Sequence, residues 1–245
     1  MAGTRNSRGE WKIRANVFDE FTNGVIYKLA GQGLFDELKS ALALGKEANI
    51  FIATHGRGSE KLEHVIVKIY RLENCNFKQM YGYLRHDPRY MHAKPGKRNI
   101  VFTWCQREYR NLLLAREAIR CPAPLGFKNN VLVMSLIGGS ANGDVAPQLK
   151  DQAPENPKEF AGLVLKDIKA LWDAGLVHGD LSAFNILNED EHPVFIDFSQ
   201  ASPNNAPNSK ELLTRDLTNV SNHFKKLGVT IDVEKEKEKI LSNPT

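Results

Sequence analysis

The stretch Leu62 to Arg71, LEHVIVKIYR, carries a lysine in the middle of an otherwise apolar run. Side chains alternate along a strand, so Val65, Val67 and Ile69 share one face while Ile66, Lys68 and Tyr70 share the other. A strand apolar on both faces belongs inside a protein, and the Lys68 ammonium there needs a carboxylate or a path to water. Any fold for this chain must supply one or the other. Further on, Glu108 lies four positions after Trp104 and four before Leu112, on the apolar side of a helix rather than its wet side. Either the two charges meet, or their aliphatic stems run along apolar surface and leave both ends in water.

Periodicity and punctuation place the other elements. Residues 1–16 are polar and basic and are expected to form a loose arm. Phe21 to Leu44 has helix-spaced apolar residues interrupted by Gly24, Gly31 and Gly33, which predicts a short helical subdomain. Asn49 to Ala53 and the lysine strand flank the turn THGRGSE as a hairpin with a long connection. Phe102 to Arg120 predicts an amphipathic helix ending before Pro122, and Asn130 to Ile137 a buried strand closed by Gly138 and Gly139. Asn156, Pro157 and Glu159 form a capping-box-like start for a helix whose stripe is Phe160, Leu163, Val164, Ile168, Leu171 and Trp172, stopped at Gly175. Asn185 to Leu187 and Pro193 to Phe198 predict two short strands around NEDEH. A last helix starts at Asn208 and Glu211 and ends before Gly228.

Composition enters mainly through what it excludes. No apolar run approaches the ~20 residues of a membrane span, and no apolar segment follows the basic N-terminus, so a cytoplasmic protein without membrane contact is expected. Cys75, Cys105 and Cys121 are widely spaced without a CxxC pair, which supports neither a disulfide framework nor a thiolate zinc site. A formal charge of +4 is compatible with nucleic acid without demanding it.

The sequence GLVHGDLSAFNIL, Gly175 to Leu187, follows a helix end and holds Asp180 and Asn185 five residues apart. A kinase-like catalytic loop needs an aspartate to accept or orient a hydroxyl proton and, at that spacing, an asparagine whose amide oxygen binds a metal. Asp197, in PVFIDFSQ at the end of the following hairpin strand, is placed to complete the metal site. Oxygen donors without a histidine or cysteine cluster suit Mg or Mn. His178 then braces the loop rather than ligating metal. An Asx-rich turn would also account for this spacing in isolation. Lys68 meeting Glu108 is the arrangement by which protein kinases hold nucleotide phosphates, and the order of all five residues along the chain favours it. Upstream, Gly45, Lys46, Glu47 and Ala48 form either a phosphate-approaching loop or an ordinary glycine turn.

Together LGKEANIF, VIVKIY, REYRNL, VMSLIG, VHGDLSAFNIL and FIDFSQ resemble the RIO family of atypical serine kinases, from about Val17 to Ile231. The glycine-lysine-glutamate-alanine-asparagine loop and the long basic insert resemble the first RIO subfamily; the second carries a winged-helix domain, for which the residues before the loop leave no room. HGDL with NIL alone also fits aminoglycoside-type phosphotransferases, which would need a helical insertion between Gly139 and Pro157.

The resemblance implies an α+β, bilobal protein-kinase-like fold. Its parts would be an N-lobe over 17–134, with an antiparallel sheet and one long helix, and a trimmed C-lobe over 135–245. It implies ATP stacked at a hinge from Met134 to Gly138 and bonded to backbone groups of Ser135 and Ile137. Lys68 would hold phosphates, Asn185 and Asp197 a metal, and Asp180 would be the catalytic base. The family's role in small ribosomal subunit maturation implies pre-ribosomal RNA and protein partners, a possible protein serine substrate, ATP hydrolysis as a release switch, and transient phosphorylation of Asp197. Gly179 in place of the usual arginine, and the lack of an APE motif, set the chain apart from ordinary peptide-recognising kinases.

The remaining segment, Arg71 to Asn99, has no evident period and interleaves Arg71, Lys78, Arg85, Arg89, Lys94, Lys97 and Arg98 with Phe77, Tyr81, Tyr83 and Tyr90. It is expected to be a flexible insert, whose cations could neutralise RNA phosphates while its aromatics stack on unpaired bases. Kinase and nucleotide-gated assembly factor both remain open on these residues.

Overall fold

A computed structural model describes residues 18–56, 63–73, 75–92, 94–139 and 141–242. The basic arm and most of the turn THGRGSE lie outside them. The chain is α+β and bilobal. The N-lobe opens with helix α1, Glu20–Gly31, started by Asp19, whose carboxylate accepts from the Thr22 N–H at 3.0 Å. Strands β1 (Glu37–Leu44), β2 (Ala48–His55) and β3 (Glu63–Tyr70) follow. After two helices, α2 (Phe77–His86) and α3 (Lys97–Ala115), strands β4 (Pro124–Lys128) and β5 (Val131–Ser135) complete an antiparallel sheet in the order β1-β2-β3-β5-β4.

The alternation in β3 decides how this lobe packs. Val65, Val67 and Ile69 join Val25, Ile26 and Leu29 of α1 in one core, while Ile66 and Tyr70 face the larger core shared with α3. Register pairs Lys68 with Ile50 on one side and Leu132 on the other, so the lysine is centred in the sheet. Burying each Val or Ile there is worth roughly 1.5–3 kcal/mol, which pins the register: a one-residue slip would exchange the faces.

The C-lobe holds the short strands β6 (Gly138–Gly139) and β7 (Asp144–Val145), α4 (Pro157–Asp173), the short strands β8 (Leu176–Val177), β9 (Ile186–Glu189), β10 (His192–Phe195) and β11 (Ser202–Pro203), and helices α5 (Ser209–Lys226) and α6 (Val233–Leu241). Asn156 caps α4 through the Glu159 N–H with Pro157 at the first position, as its sequence requires. No helix among the described residues is long and apolar enough to cross a membrane.

Several expectations are corrected. Phe21 to Leu44 is helical only to Gly31; after a turn, residues 37–44 form the edge strand β1, whose alternation is obscured because most of it is exposed. The helix expected over 102–120 runs instead from Lys97 to Ala115. A further helix, α6, follows the one expected to be last. The largest correction concerns the insert. It forms α2, with Met80 and Leu84 buried one turn apart, and Asn76 capping it through the Gln79 N–H at 3.1 Å. Its aromatics are turned inward: Tyr90 is buried and Tyr83 packs edge-on against Trp104. Lys97 and Arg85 lie over the rings of Phe77 and Tyr81. Lysine and arginine content concealed a short amphipathic helix.

Candidate active site

Lys68 and Glu108 meet. The ammonium donates to Glu108 Oε1 at 2.8 Å and to Asp197 Oδ1 at 2.9 Å, with Lys68 only 4% exposed and Glu108 fully buried. Burial would pull the Lys68 pKa down, but the adjacent carboxylates of Asp197 and Glu108 overcome it and hold the amine above its ordinary value. Tyr70, on the same strand face, donates its hydroxyl to Glu108 Oε2, so both carboxylate oxygens are satisfied.

Asp197 ends the segment after β10 in the left-handed region, at φ 62° and ψ 70°. A non-glycine residue there costs roughly 1–3 kcal/mol and persists only where its surroundings require it. Its Oδ1 accepts from Lys68 and from the Ser199 N–H at 3.4 Å. Burial pushes its pKa up, yet the Lys68 charge and hydrogen bond outweigh that and bring it to about 2. Asp197 Oδ2 has no hydrogen-bond partner among the described residues.

Opposite lies the loop between β8 and β9. Asn185 donates its amide to the Asp180 carbonyl at 2.8 Å, which leaves its Oδ1 facing outward. Asn185 Oδ1 and Asp197 Oδ2 are hard oxygen donors lining one cleft, a set that suits Mg far better than zinc. Among the described residues no cluster of three or more His, Cys, Asp or Glu forms a metal cage, so any cation would rely on phosphate oxygens as well. The Asp180 carboxylate accepts from Gln200 Nε2 at 3.0 Å. Burial, then the negative charge of Asp197, raise its pKa above the usual carboxylate value.

His178 is a brace, as its sequence position suggests. Its Nε2 lies 3.0 Å from the Ile196 carbonyl and its Nδ1 3.4 Å from the Asp180 N–H, which assigns the proton to Nε2. Burial lowers its pKa to about 4. The sign follows: the unfolded chain takes up a proton near 6.5, the folded one not until about 4, so this contribution to stability is full above pH 6.5 and is lost as pH falls toward 4. Urea unfolding is expected to show roughly 2 kcal/mol less stability at pH 5 than at pH 7 from this group. His178→Gln should flatten that slope.

Gly179, in the position where most kinases carry arginine, is left-handed at φ +77°, and a Cβ there would lie 3.0 Å from the Gln200 carbonyl. The loop approaches the segment after Asp197 too closely for a side chain. Its N–H and that of Leu181 donate to the two oxygens of buried Asp216 on α5 at 2.7 and 2.9 Å. Sequence reading missed Asp216 and Gln200. Asp216 falls between Leu213 and Val220 on the apolar stripe of α5, the same signal that marked Glu108.

The β1–β2 turn closes with the Gly45 N–H donating to the Ala48 carbonyl at 3.0 Å, and a Cβ on Gly45 would meet that oxygen at 2.9 Å. The hairpin itself therefore requires the glycine. Lys46 is exposed, while burial, then the negative charge of Asp197, raise the pKa of the half-buried Glu47 carboxylate above its ordinary value. Between the lobes is a cavity of about 280 Å³, lined by Leu42, Ile50, Met134, Leu187 and Ile196 around Lys68, Asn185 and Asp197. At its rim the Ser135 N–H donates to Ala123 and the Ile137 carbonyl accepts from Ala146. The Ser135 carbonyl and Ile137 N–H have no backbone partner outside the sheet among the described residues.

Comparison with known proteins points to one family. The RIO domain family model matches residues 49–238. A RIO-type serine/threonine-protein kinase Rio1 from Haloferax volcanii is 38% identical over 91% of this chain and 75% of its own length. The human serine/threonine-protein kinase RIO1 is 32% identical over 94% of this chain, which spans 40% of that longer protein. Among solved structures, the Rio2 kinase of Chaetomium thermophilum superposes with a TM-score of 0.67 at 21% identity, over 88% of this chain and 66% of that one. A second structure of that kinase, an ADP/Mg2+-phosphoaspartate complex, matches equally well, with a TM-score of 0.67 at 20% identity.

Proposed function

We propose, for a chain that belongs to the RIO family of serine/threonine-protein kinases and is of the Rio1 type, that the interlobe cleft binds ATP with a divalent cation and that Asp180 is its catalytic base. The observation that carries this reading is the Lys68 clasp on Glu108 and Asp197, which lines one cleft together with Asn185, while Asp180 is held by Asn185 and feels the charge of Asp197.

The apolar cavity walls suit an adenine ring, with the Ser135 carbonyl accepting from its amino group and the Ile137 N–H donating to its edge. Lys68 stands where phosphates would lie, and Asn185 and Asp197 would hold the cation. When bound, Mg or Mn neutralises charge on the transferring phosphoryl group. Asp180, held by Gln200 and raised in pKa, accepts the proton of an attacking serine hydroxyl. Asp197 itself is a second acceptor. Its free Oδ2 can attack the γ-phosphorus while the bond to the ADP oxygen breaks, leaving an acyl phosphate that water hydrolyses. The complex of the related Rio2 kinase described as containing phosphoaspartate favours including this route.

We place the activity in small ribosomal subunit maturation in the cytoplasm, where hydrolysis would release the protein from a precursor particle. Exposed Lys78, Arg85, Lys94 and Lys97 support phosphate contact with RNA, whereas the inward-turned aromatics speak against base stacking by the insert. A small-molecule phosphotransferase is disfavoured, because residues 141–156 carry no helix to bind such a substrate.

Labelled ATP with and without precursor particles separates the outcomes. Label in a protein serine supports the kinase; free phosphate stimulated by the particle supports the switch. A trapped phosphoenzyme is expected to vanish in Asp197→Asn and to survive replacement of serines and threonines. Its absence throughout turnover would remove the aspartyl route.

A further inference from the structure

The insert does more than cover α3. Asp87, just past the end of α2, is fully buried, and so is Arg107 on α3. The Arg107 Nε donates to Asp87 Oδ2 at 3.0 Å, its Nη1 to the Ser199 carbonyl at 2.8 Å, and its Nη2 to Ser202 Oγ at 2.8 Å. One guanidinium therefore spans from the insert to the segment directly after Asp197. Beside it, Asn111 donates to the carbonyls of Phe198 and Ala201 at 2.9 and 2.8 Å, and its Oδ1 accepts from Arg89 of the insert at 2.8 Å. Arg89 also grips Asp87 through three hydrogen bonds, from its backbone N–H at 3.0 Å and its side chain at 2.9 and 2.7 Å. Four carbonyl or hydroxyl oxygens between residues 198 and 202 are thus held by two side chains of α3, and both of those side chains are held by Asp87 or Arg89.

These contacts exceed what packing a surface helix requires. A buried guanidinium has a large desolvation cost, and Asp87 is its only carboxylate partner among the described residues. The same ring system is closed by Tyr83 and Trp104, whose rings lie 5.7 and 5.1 Å from the Arg107 guanidinium carbon. Tyr83 also reaches the C-lobe, accepting from Arg215 Nη2 at 3.1 Å. Asp197, two residues before Ser199, occupies a left-handed conformation that relaxes unless its flanks are fixed.

We infer that residues 77–90 belong to the positioning machinery of the cation site: Asp87 and Arg89 orient Arg107 and Asn111, which fix the 198–202 turn and hence the Asp197 carboxylate. Asp87 is a positioning residue and touches neither nucleotide nor cation. The inference rests on the reading of Asp197 as a cation ligand.

The test is ADP binding to the full chain by calorimetry, in excess Mg2+ and again in EDTA, beside turnover. Asp87→Asn is expected to weaken Mg-dependent ADP affinity about tenfold, the lower end for partners that orient a metal ligand, with affinity in EDTA within about twofold. Because Asp87→Asn strands a buried cation and can unfold the protein, Asp87→Leu/Arg107→Met removes both charges together. That pair should recover the melting temperature while keeping the weakened Mg-dependent affinity, since the Ser199 carbonyl is still unheld. A folded pair with wild-type Mg-dependent affinity overturns the inference. Asp197→Asn distinguishes the two readings: if it leaves Mg-dependent affinity intact, the ligand assignment fails, whereas loss in Asp197→Asn with none in the paired variant fails the positioning role alone.

Discussion

Asp180→Ala is expected to lower turnover by roughly 10²–10⁴-fold while changing ATP affinity little. The carboxylate accepts from Gln200, which does not line the apolar cavity, and Asp180 is itself absent from the cavity wall. Removing it therefore costs proton acceptance and leaves the nucleotide contacts in place. Single-turnover measurements with pre-bound ATP check this, because they separate chemistry from binding. Turnover at the wild-type rate would overturn the assignment of the base. A parallel rise in the ATP dissociation constant would show instead that Asp180 acts through the nucleotide.

Lys68→Met has the largest effect expected on both folding and binding. Methionine fills nearly the same space, but among the described residues Glu108 is then buried with Tyr70 as its one remaining hydrogen-bond donor, and Asp197 loses its strongest partner. Breaking a buried pair from one side costs about 3–5 kcal/mol, and for a chain of this size each kcal/mol lowers the melting temperature by about 2–4 °C. The variant should melt roughly 10 °C lower and lose phosphate-dependent affinity. Lys68→Met/Glu108→Gln should recover much of the melting temperature and none of the nucleotide affinity. Such an outcome assigns the pair a binding role that stability alone does not demand. If the double variant were no more stable than Lys68→Met, the buried carboxylate would not be the source of the loss.

What was legible in the sequence depended on whether a local signal was strong enough to survive without its partners. The lysine strand read correctly on both faces, because period-two alternation is intrinsic to an extended backbone and Val65, Val67 and Ile69 have no polar competitor among them. Asn156 with Pro157 and Glu159 read correctly as a helix start, because capping is completed within four residues. Glu108 could be singled out because a carboxylate on an apolar stripe is costly wherever that stripe is buried.

The insert misread for the converse reason. FKQMYGYLRH has only two buried aliphatic residues and a glycine among cations, so nothing local separates it from a solvated loop. Its helix is stabilised by Asp87 meeting Arg107, a contact between segments whose approach no short-range pattern encodes.

The sequence by itself determined the lysine strand, the start of α4 and the order of Lys68, Glu108, Asp180, Asn185 and Asp197, since these rest on backbone periodicity, local capping and the cost of burying an unpaired charge. Only the tertiary structure decided that Lys68 bridges two carboxylates, that Asp216 anchors the loop carrying Asp180, and that the insert grips the turn after Asp197. Those depend on hydrogen bonds between residues far apart in the chain, whose geometry exists only once both lobes have packed.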